Sequence, residues 1–522
     1  MNCLNLTQIK QLLEQRDLDN RFQVLKDIPQ PFEFKDIQKA TERIIQAINN
    51  NEPITIVGDY DADGVTSTAI MIEFFKKALN IDVKYIIPNR FTDGYGISIN
   101  IVDKIQSGII ITVDNGISSI EAAQKAQEKN IDLIITDHHT VSDNLPSAYA
   151  IVNPKQNDCL FPFEDICGAN VAWYLCANIK KTINLQYDMM ELFDLLTIAI
   201  IADIMPMVSL NKTIVKKGLQ FLSTSSRPAI VALRQRYNFT NITEEDIGFK
   251  IAPLINCAGR MEDANIALEF LLSDTITQAN EILDYLQELN ERRKQEQLII
   301  FEEAKLQVNE NDKVIVVASE DWNEGIIGIV ASKLCDKYNK PSFVFSIKDK
   351  FAKGSARSVG DINLYDLISS VSDLTVGFGG HKGAAGVLIE YSLFENFKNM
   401  LTQNLPQTKE QKEIDALCSL NLSLVDKPLF DLINSFRPFG LHNPLPIFLF
   451  ENLKVENIRL IGKEKQYQKL IVTDGNYYVD VLVFVDIKQF SIGETISFTA
   501  TISKNEFYNT ITYNLMLKKY IM

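Results

Sequence analysis

Seven cysteines are spread over 522 residues, and no two of them form a CxxC pair. That scatter argues against a structural zinc site or a disulfide framework and predicts reduced thiols in a cytosolic chain. Apolar runs of membrane-spanning length are missing as well. The most apolar stretch, residues 192–204, is interrupted by Asp194 and Asp203 and reads as a buried helix. The first fifteen residues lack the basic head and apolar body of a secretory signal, so a cytoplasmic location without membrane association is expected. There is no internal repeat and no low-complexity tract. Positive charge is also short: 52 Lys and Arg face 67 Asp and Glu, a formal net charge of -15. This balance excludes a protein that coats DNA by unselective electrostatics. It does not exclude an enzyme of nucleic acids, because carboxylates gathered around metal ions are neutralised by them and charge can be segregated by region. Lys333, Lys337, Lys340, Lys348, Lys350, Lys353 and Arg357 make one locally basic stretch, which a solvated face would equally explain.

The length exceeds one ordinary domain, and 46% hydrophobic residues are ample for several cores, so three or four domains are expected. Residues 1–50 read as a mostly helical segment with a proline-rich break at 28–32. Strands are then predicted at 54–58, 83–87, 109–113, 131–136 and 148–152, with helices at 65–79 and 118–130 between them. Short apolar runs alternating with helices imply an α/β domain whose parallel sheet is covered on both faces. Helices dominate from about 168 to 306; the last, 275–306, is long, charged and without an obvious breaker, as expected of a connector between domains. A second α/β unit opens with a strand at 313–318 and a helix at 326–338 and closes near 389. After a helical stretch at 392–404 and a polar run at 406–413, residues 447–518 alternate apolar and polar in short segments, which predicts a small β-barrel or sandwich.

Three predicted strands end in acid. The first runs into Asp59-Tyr60-Asp61-Ala62-Asp63-Gly64, the third into Asp114-Asn115-Gly116, and the fourth into Asp137-His138-His139. In an open parallel sheet the carboxyl ends of the strands line the ligand crevice, so these groups are expected at one edge. That many carboxylates together repel one another strongly unless cations intervene. Oxygen and imidazole donors without thiolate favour Mn²⁺ or Mg²⁺ over zinc. A calcium-type loop is a poor alternative for the first motif, since the acidic positions required further along are missing. Only four histidines occur in the chain, and two of them stand side by side at a strand end. Asp203 is a charge in an apolar run; a helix-terminal position and a ligand role both fit it, and an acidic metal site nearby favours the second. In the second unit, the glycine-dense segment 377–386 with His381 and Lys382 suits close approach to a phosphate. Ser355 and Arg357 offer hydroxyl and guanidinium donors for a phosphate clamp, and Arg260 is a weaker candidate of the same kind.

Taken together these residues resemble the DHH phosphoesterase superfamily, specifically the RecJ single-strand-specific exonucleases, over nearly the whole chain. Residues 58–64, Thr112-Val113-Asp114-Asn115-Gly116-Ile117, 136–139 and 201–205 resemble the four acidic motifs. Pro88-Asn89-Arg90 with Asp93-Gly94-Tyr95-Gly96, and 254–261 ending in Gly-Arg-Met, resemble RecJ segments. Residues 325–334, 354–358 and 379–386 resemble the DHH-associated domain, and the β-rich tail stands where RecJ proteins carry an OB-fold. The resemblance implies a helical segment 1–50, a DHH catalytic domain 51–215, a helical connector 216–310, a DHH-associated domain 311–395 and an OB-fold 396–522. Two departures stand out: Asn323 where many relatives have His, which would weaken a substrate contact, and His442 in place of a small residue.

By the same resemblance, Asp59, Asp61, Asp63, Asp114, His138 and Asp203 hold two divalent ions, Mn²⁺ or Mg²⁺, about 3.5–4 Å apart as in two-metal sites generally. Water activated there attacks the scissile phosphorus in line. His139 donates to phosphate oxygens, its protonated form favoured by the acidic cluster. Asp137 is better placed to orient the groups that act than to ligate, with direct ligation as its alternative. Arg90, Arg260, Ser355, Arg357 and His381 grip the backbone and the terminal 5′-phosphate, while Tyr95 stacks on a base without regard to sequence. The implied activity is hydrolysis of single-stranded DNA from the 5′ end to 5′-mononucleotides, in DNA repair and recombination. The implied partners are single-strand-binding protein and a RecQ-type helicase. Three rival readings are a phosphodiesterase for short oligonucleotides or cyclic dinucleotides, a non-catalytic replication scaffold, and a pyrophosphatase. The long β-rich tail weighs against the first, the intact acidic and histidine ligands against the second, and the length and RecJ-type segments against the third.

Overall fold

A computed structural model describes residues 4–16, 19, 21–406, 416–462, 464–484, 489–507 and 510–521. The chain separates into two compact units: residues 29–203 with 218–410, and residues 1–28 with 204–217 and 411–522. Most of the polar run 406–413 lies outside the described residues.

The larger unit begins with a five-stranded, wholly parallel sheet: β1 (Ile54–Val57), β2 (Lys84–Ile86), β3 (Ile109–Val113), β4 (Asp132–Thr136) and β5 (Ala150–Val152), in the order β2-β1-β3-β4-β5. β1 and β3 are buried at every position, as continuous runs of β-branched residues require when helices cover both faces. Val57, Ile110 and Ile135 pack on one face against Ile101, Val102, Ala122, Ala123 and Ala126 of the helices Ile99–Lys104 and Ile120–Glu128. The other face carries the helices Ala62–Leu79 and Gly168–Thr182. Trimming one fully buried side chain here, such as Ile111→Ala, costs about 2–5 kcal/mol.

The predicted connector is the 32-residue helix Ile276–Gln307, about 48 Å long at 1.5 Å per residue. Thr275 starts it by accepting from the Gln278 N–H. Ala279, Leu283, Leu286 and Leu289 bury one end and Ile300 and Ala304 the other. The helix therefore joins the first sheet's helical layer to a second sheet and packs on both. That sheet has β6 (Ile315–Ser319), β7 (Ser342–Lys348), β8 (Phe351–Arg357), β9 (Gly377–Gly380) and β10 (Ala384–Glu390), in the order β6-β7-β8-β10-β9. Only the β6–β7 pair is parallel. The glycine-dense segment is thus an edge hairpin: Gly377–Gly380 is a strand, and His381 opens the turn into β10.

In the smaller unit, β11 (Cys418–Ser419) leads into β12 (Phe448–Ile461), β13 (Tyr467–Thr473), β14 (Tyr478–Val483), β15 (Thr495–Phe507) and β16 (Thr510–Ile521). β12 pairs with both β13 and β15, β14 with β16, and β16 with β15, which closes five strands into a barrel. Register shifts in β12 and β15 supply the bends that closure needs. Phe448, Phe450, Val455, Leu470, Val481, Phe498 and Leu515 fill the core, and Ile9 and Leu13 of the helix Leu6–Arg16 belong to the same cluster.

Candidate metal centre

Carboxylates reach the carboxyl edge of the first sheet from β1, β3 and β4, as expected from three strands ending in acid. Asp59, Asp63, Asp114, Asp137 and His138 are all buried there. Asp203 comes from elsewhere: it is the C-cap of the helix Phe193–Ala202, and its N–H donates to Ala199 and Ile201 carbonyls. A negative charge at that end opposes the helix dipole, so the position needs a compensating cation. His138 Nε2 lies 3.2 Å from Asp114 Oδ1, 3.6 Å from Asp203 Oδ2 and 3.8 Å from Asp63 Oδ2. Donor atoms about 2.1 Å from an octahedral ion sit roughly 3 Å apart, so these spacings would accept one. Asp59, Asp61 and Asp114 form a second group whose ligand atoms lie within 4.8 Å of one another, sharing Asp114 with the first.

The electrostatics fit a cation. Asp59 Oδ1, Asp114 Oδ1 and Asp203 Oδ2 are buried without a hydrogen-bond partner, a costly state for carboxylate oxygens. Burial, reinforced by neighbouring carboxylates, pushes Asp59, Asp114 and Asp203 well above the usual carboxylate range and Asp63 up to about 6. His138 is driven down to about 3 by burial and by the His139 charge, which keeps its imidazole neutral as ligation requires.

The scaffold behind these groups is made of backbone donors. Asp61 caps the helix Ala62–Leu79, accepting from the N–H groups of Asp63 (3.0 Å) and Gly64 (3.1 Å). Asp63 accepts from Gly168 N (2.6 Å) and Ala169 N (2.9 Å), the first turn of the helix Gly168–Thr182. That approach needs glycine: a Cβ at Gly168 would fall 2.4 Å from Asp114 Cβ and 2.6 Å from its Oδ1. Asn256 Oδ1 accepts from Ala62 N (2.9 Å), and Asn115 Nδ2 donates to the Val57 (3.1 Å) and Val113 (2.9 Å) carbonyls. Asp114 itself takes a left-handed backbone, φ 63°, where the chain turns off β3.

Asp137 sits differently. Its carboxylate accepts from Ile117 N (2.9 Å), His138 N (2.7 Å), His139 N (3.1 Å) and His139 Nδ1 (2.7 Å). Burial alone would raise it, but the His139 hydrogen bond and charge hold it below the usual range. Burial likewise opposes the charged form of His139, yet the Asp137 bond and charge push it up to about 9. Tyr95 Oη lies 3.4 Å from His139 Nε2 and 3.3 Å from the Asp114 carbonyl, and the residue is 48% exposed. Arg90 stacks over Tyr60, 3.9 Å from the ring centroid, and its Nε donates to the Gly259 carbonyl at 3.2 Å.

The basic candidates are less tightly gathered. Arg260 donates to the Gly325 carbonyl (3.1 Å), and burial together with the charge of Arg90 lowers it to about 10. Arg357 bonds to Ser355 Oγ (3.2 Å) and to the Ala356 carbonyl (2.8 Å). His381 is exposed, and its ring makes no hydrogen bond among the described residues; burial of part of the ring and the charges of His139 and Lys155 lower it. The basic stretch 333–357 is not one patch: Lys353 pairs with Glu324, Lys340 binds the Glu310 carbonyl and Lys333 lies over Phe301.

Three family models match in chain order: the DHH family N-terminal domain over residues 53–200, the DHHA1 domain over 311–406 and the RecJ OB domain over 414–519. The single-stranded-DNA-specific exonuclease RecJ of Haemophilus influenzae is 31% identical over 492 residues, covering 88% of this chain and 85% of its own. The chain belongs to the RecJ exonuclease family. RecJ of Escherichia coli is 30% identical, with 86% of this chain and 83% of that protein covered. RecJ of Bacillus subtilis is 35% identical over 94% of this chain, which spans 64% of that longer relative. The crystal structure of Thermus thermophilus RecJ in complex with Mn²⁺ superposes over 100% of this chain and 79% of its own, with TM-score 0.85 at 26% identity. The OB-fold, the two α/β domains and the linking helix expected from the resemblance are therefore all present. No helix among the described residues is long and apolar enough to cross a membrane.

Asn323, one of the two departures from the family pattern, has a definite place in the fold. Here its Oδ1 accepts from Gly325 N (2.8 Å) and its Nδ2 donates to Glu296 (3.2 Å), so it props the loop whose carbonyl holds Arg260. Gly168, Asn256 and Asn115 escaped the sequence reading as site residues. Only the acid that ends each strand announces itself locally.

Proposed function

We propose that this chain is a metal-dependent exodeoxyribonuclease that hydrolyses single-stranded DNA from the 5′ end to 5′-mononucleotides, in DNA repair and recombination. The observation that carries it is the cluster of His138 Nε2 with Asp63, Asp114 and Asp203 at 3.2 to 3.8 Å, holding buried carboxylate oxygens that have no hydrogen-bond partner. The donor set supports Asp59, Asp61, Asp63, Asp114, His138 and Asp203 as the holders of two divalent ions, Mn²⁺ or Mg²⁺. RecJ of Thermus thermophilus has been crystallised with each of these metals. When bound, such ions supply Lewis acidity and activate water near neutral pH.

The chain's own groups do the rest. Four donors already occupy the Asp137 carboxylate, which favours it as the orienter of His139 over direct ligation. His139, kept protonated by that bond, donates through Nε2 to a phosphate oxygen. Arg90, Arg260, Ser355, Arg357 and His381 hold backbone and terminal phosphates, and the exposed Tyr95 ring stacks on a base. A cytoplasmic location, and single-strand-binding protein and a RecQ-type helicase as partners, belong to the same reading.

The test is digestion of single strands labelled at the 5′ or the 3′ end, with Mn²⁺ or Mg²⁺, beside a blunt duplex. Immediate release of labelled mononucleotide from the 5′ end alone, with the duplex spared, is expected. Internal fragments would identify an endonuclease, and equal rates on duplex and single strand would remove the strand specificity.

A further inference from the structure

Between β5 and the helix Gly168–Thr182 the chain makes a tight turn that none of the acidic motifs includes. Asn153, fully buried, donates through Nδ2 to the carbonyl of His139 (3.0 Å), and its Oδ1 accepts from the backbone N–H of Lys155 (2.8 Å). Gln156, also buried, ties the turn back to the Ile151 carbonyl at 2.7 Å. Two hydrogen bonds thus fix the Lys155 backbone to the last residue of the Asp137-His138-His139 triplet. The side chain is half-buried, and no carboxylate among the described residues lies within 4.0 Å of its ammonium. The ammonium is nevertheless close enough for its charge to act on Asp203, His138 and His381. A cation held on a rigid turn beside an acidic centre, with no carboxylate of its own, is placed for an anion that arrives with the substrate.

We propose that the Lys155 ammonium is a phosphate-binding group of the active site, contacting a non-bridging oxygen of the scissile phosphate. The proposal rests on the nuclease reading above and adds a contact to it. His139 reaches that phosphate from the β4 end of the sheet and Lys155 from the β5 end; the His381 imidazole feels the charge of both.

Lys155→Ala, Lys155→Gln and Lys155→Arg are compared with wild type in the full chain. Lys155→Ala should lower kcat/KM on a single strand by about 10- to 100-fold, the scale of one lost charge-assisted hydrogen bond. Its salt slope for strand binding should fall by about 0.7, the share of one phosphate contact on a single strand. Lys155→Gln should behave like the alanine variant, and Lys155→Arg should recover most of the loss. Mn²⁺-induced thermal stabilisation should be retained or strengthened in Lys155→Ala, because a cation has been removed from beside the acidic cluster. Unchanged kcat/KM and salt slope would overturn the proposal. So would a loss of Mn²⁺ stabilisation shared by all three variants, which marks a structural role. Calorimetric binding of thymidine 5′-monophosphate separates the two readings. If the wild type cuts no single strand the nuclease reading falls, while Lys155 still stands or falls on whether Lys155→Ala weakens that binding.

Discussion

At the carboxyl edge of the first sheet, Asp59, Asp63, Asp114 and Asp137 are buried, and backbone N–H groups of Gly168 and Ala169 aim the Asp63 carboxylate while those of Ile117, His138 and His139 aim that of Asp137. On the second sheet, Ser355 and Arg357 bond chiefly to each other and to their own strand, and His381 stands exposed on a hairpin turn. One pole of the site is over-determined and the other is loosely held. The difference matches the tasks assigned to them. Ions tolerate little error in ligand position, whereas phosphates on a moving strand are gripped by groups that adapt.

The comparison is broken most directly at Asp114, which both candidate ion groups share. Asp114→Asn is expected to cost roughly 10³-fold in kcat, the scale of losing a charge-stabilising group from the transition state, with strand affinity changed little. Equal losses in kcat and in strand binding, measured by anisotropy, would show that the acidic pole also grips DNA. A smaller effect follows from acidity. Asp63 rises to about 6 in the metal-free fold, above the ordinary carboxylate near 3.9. Its unfolded form releases a proton first, so the metal-free fold loses stability as pH rises from about 4 to about 6. Ions displace that proton, so Mn²⁺ stabilisation should be small at pH 5 and approach about 2.7 kcal/mol at a hundredfold excess over Kd once pH passes 6. A Tm increment independent of pH would contradict the buried, protonated state. The smallest effect belongs to the loose pole: Arg357→Lys should raise KM about tenfold with kcat nearly kept, since lysine cannot reproduce the guanidinium fork. A fall in kcat equal to the rise in KM would make this pole as exacting as the other.

The fold was largely readable from periodicity, because parallel strands buried on both faces leave continuous apolar runs. Residues 109–113 were expected and found as a strand, and the long helix and β-rich tail lie where their patterns indicated. The acids that terminate strands were readable for the same reason: topology alone brings them to one edge. The groups that aim them were not. Gly168 meets Asp63 across 105 residues and Asn256 meets Ala62 across 194, and no local pattern encodes a partner that distant. The glycine-dense segment 377–386 was readable only in part, since glycine signals close approach without saying whether a loop or an edge strand provides it.

Gly168 also has a meaning for how the gene can drift. Any single-nucleotide change that replaces a glycine gives either a stop or a residue with a Cβ, and a Cβ here lands on Asp114. The position has no neutral amino-acid replacement one nucleotide away. A lineage can reshape the strand-gripping pole by small increments, but it can leave this glycine only through a simultaneous change in the carboxylate it touches.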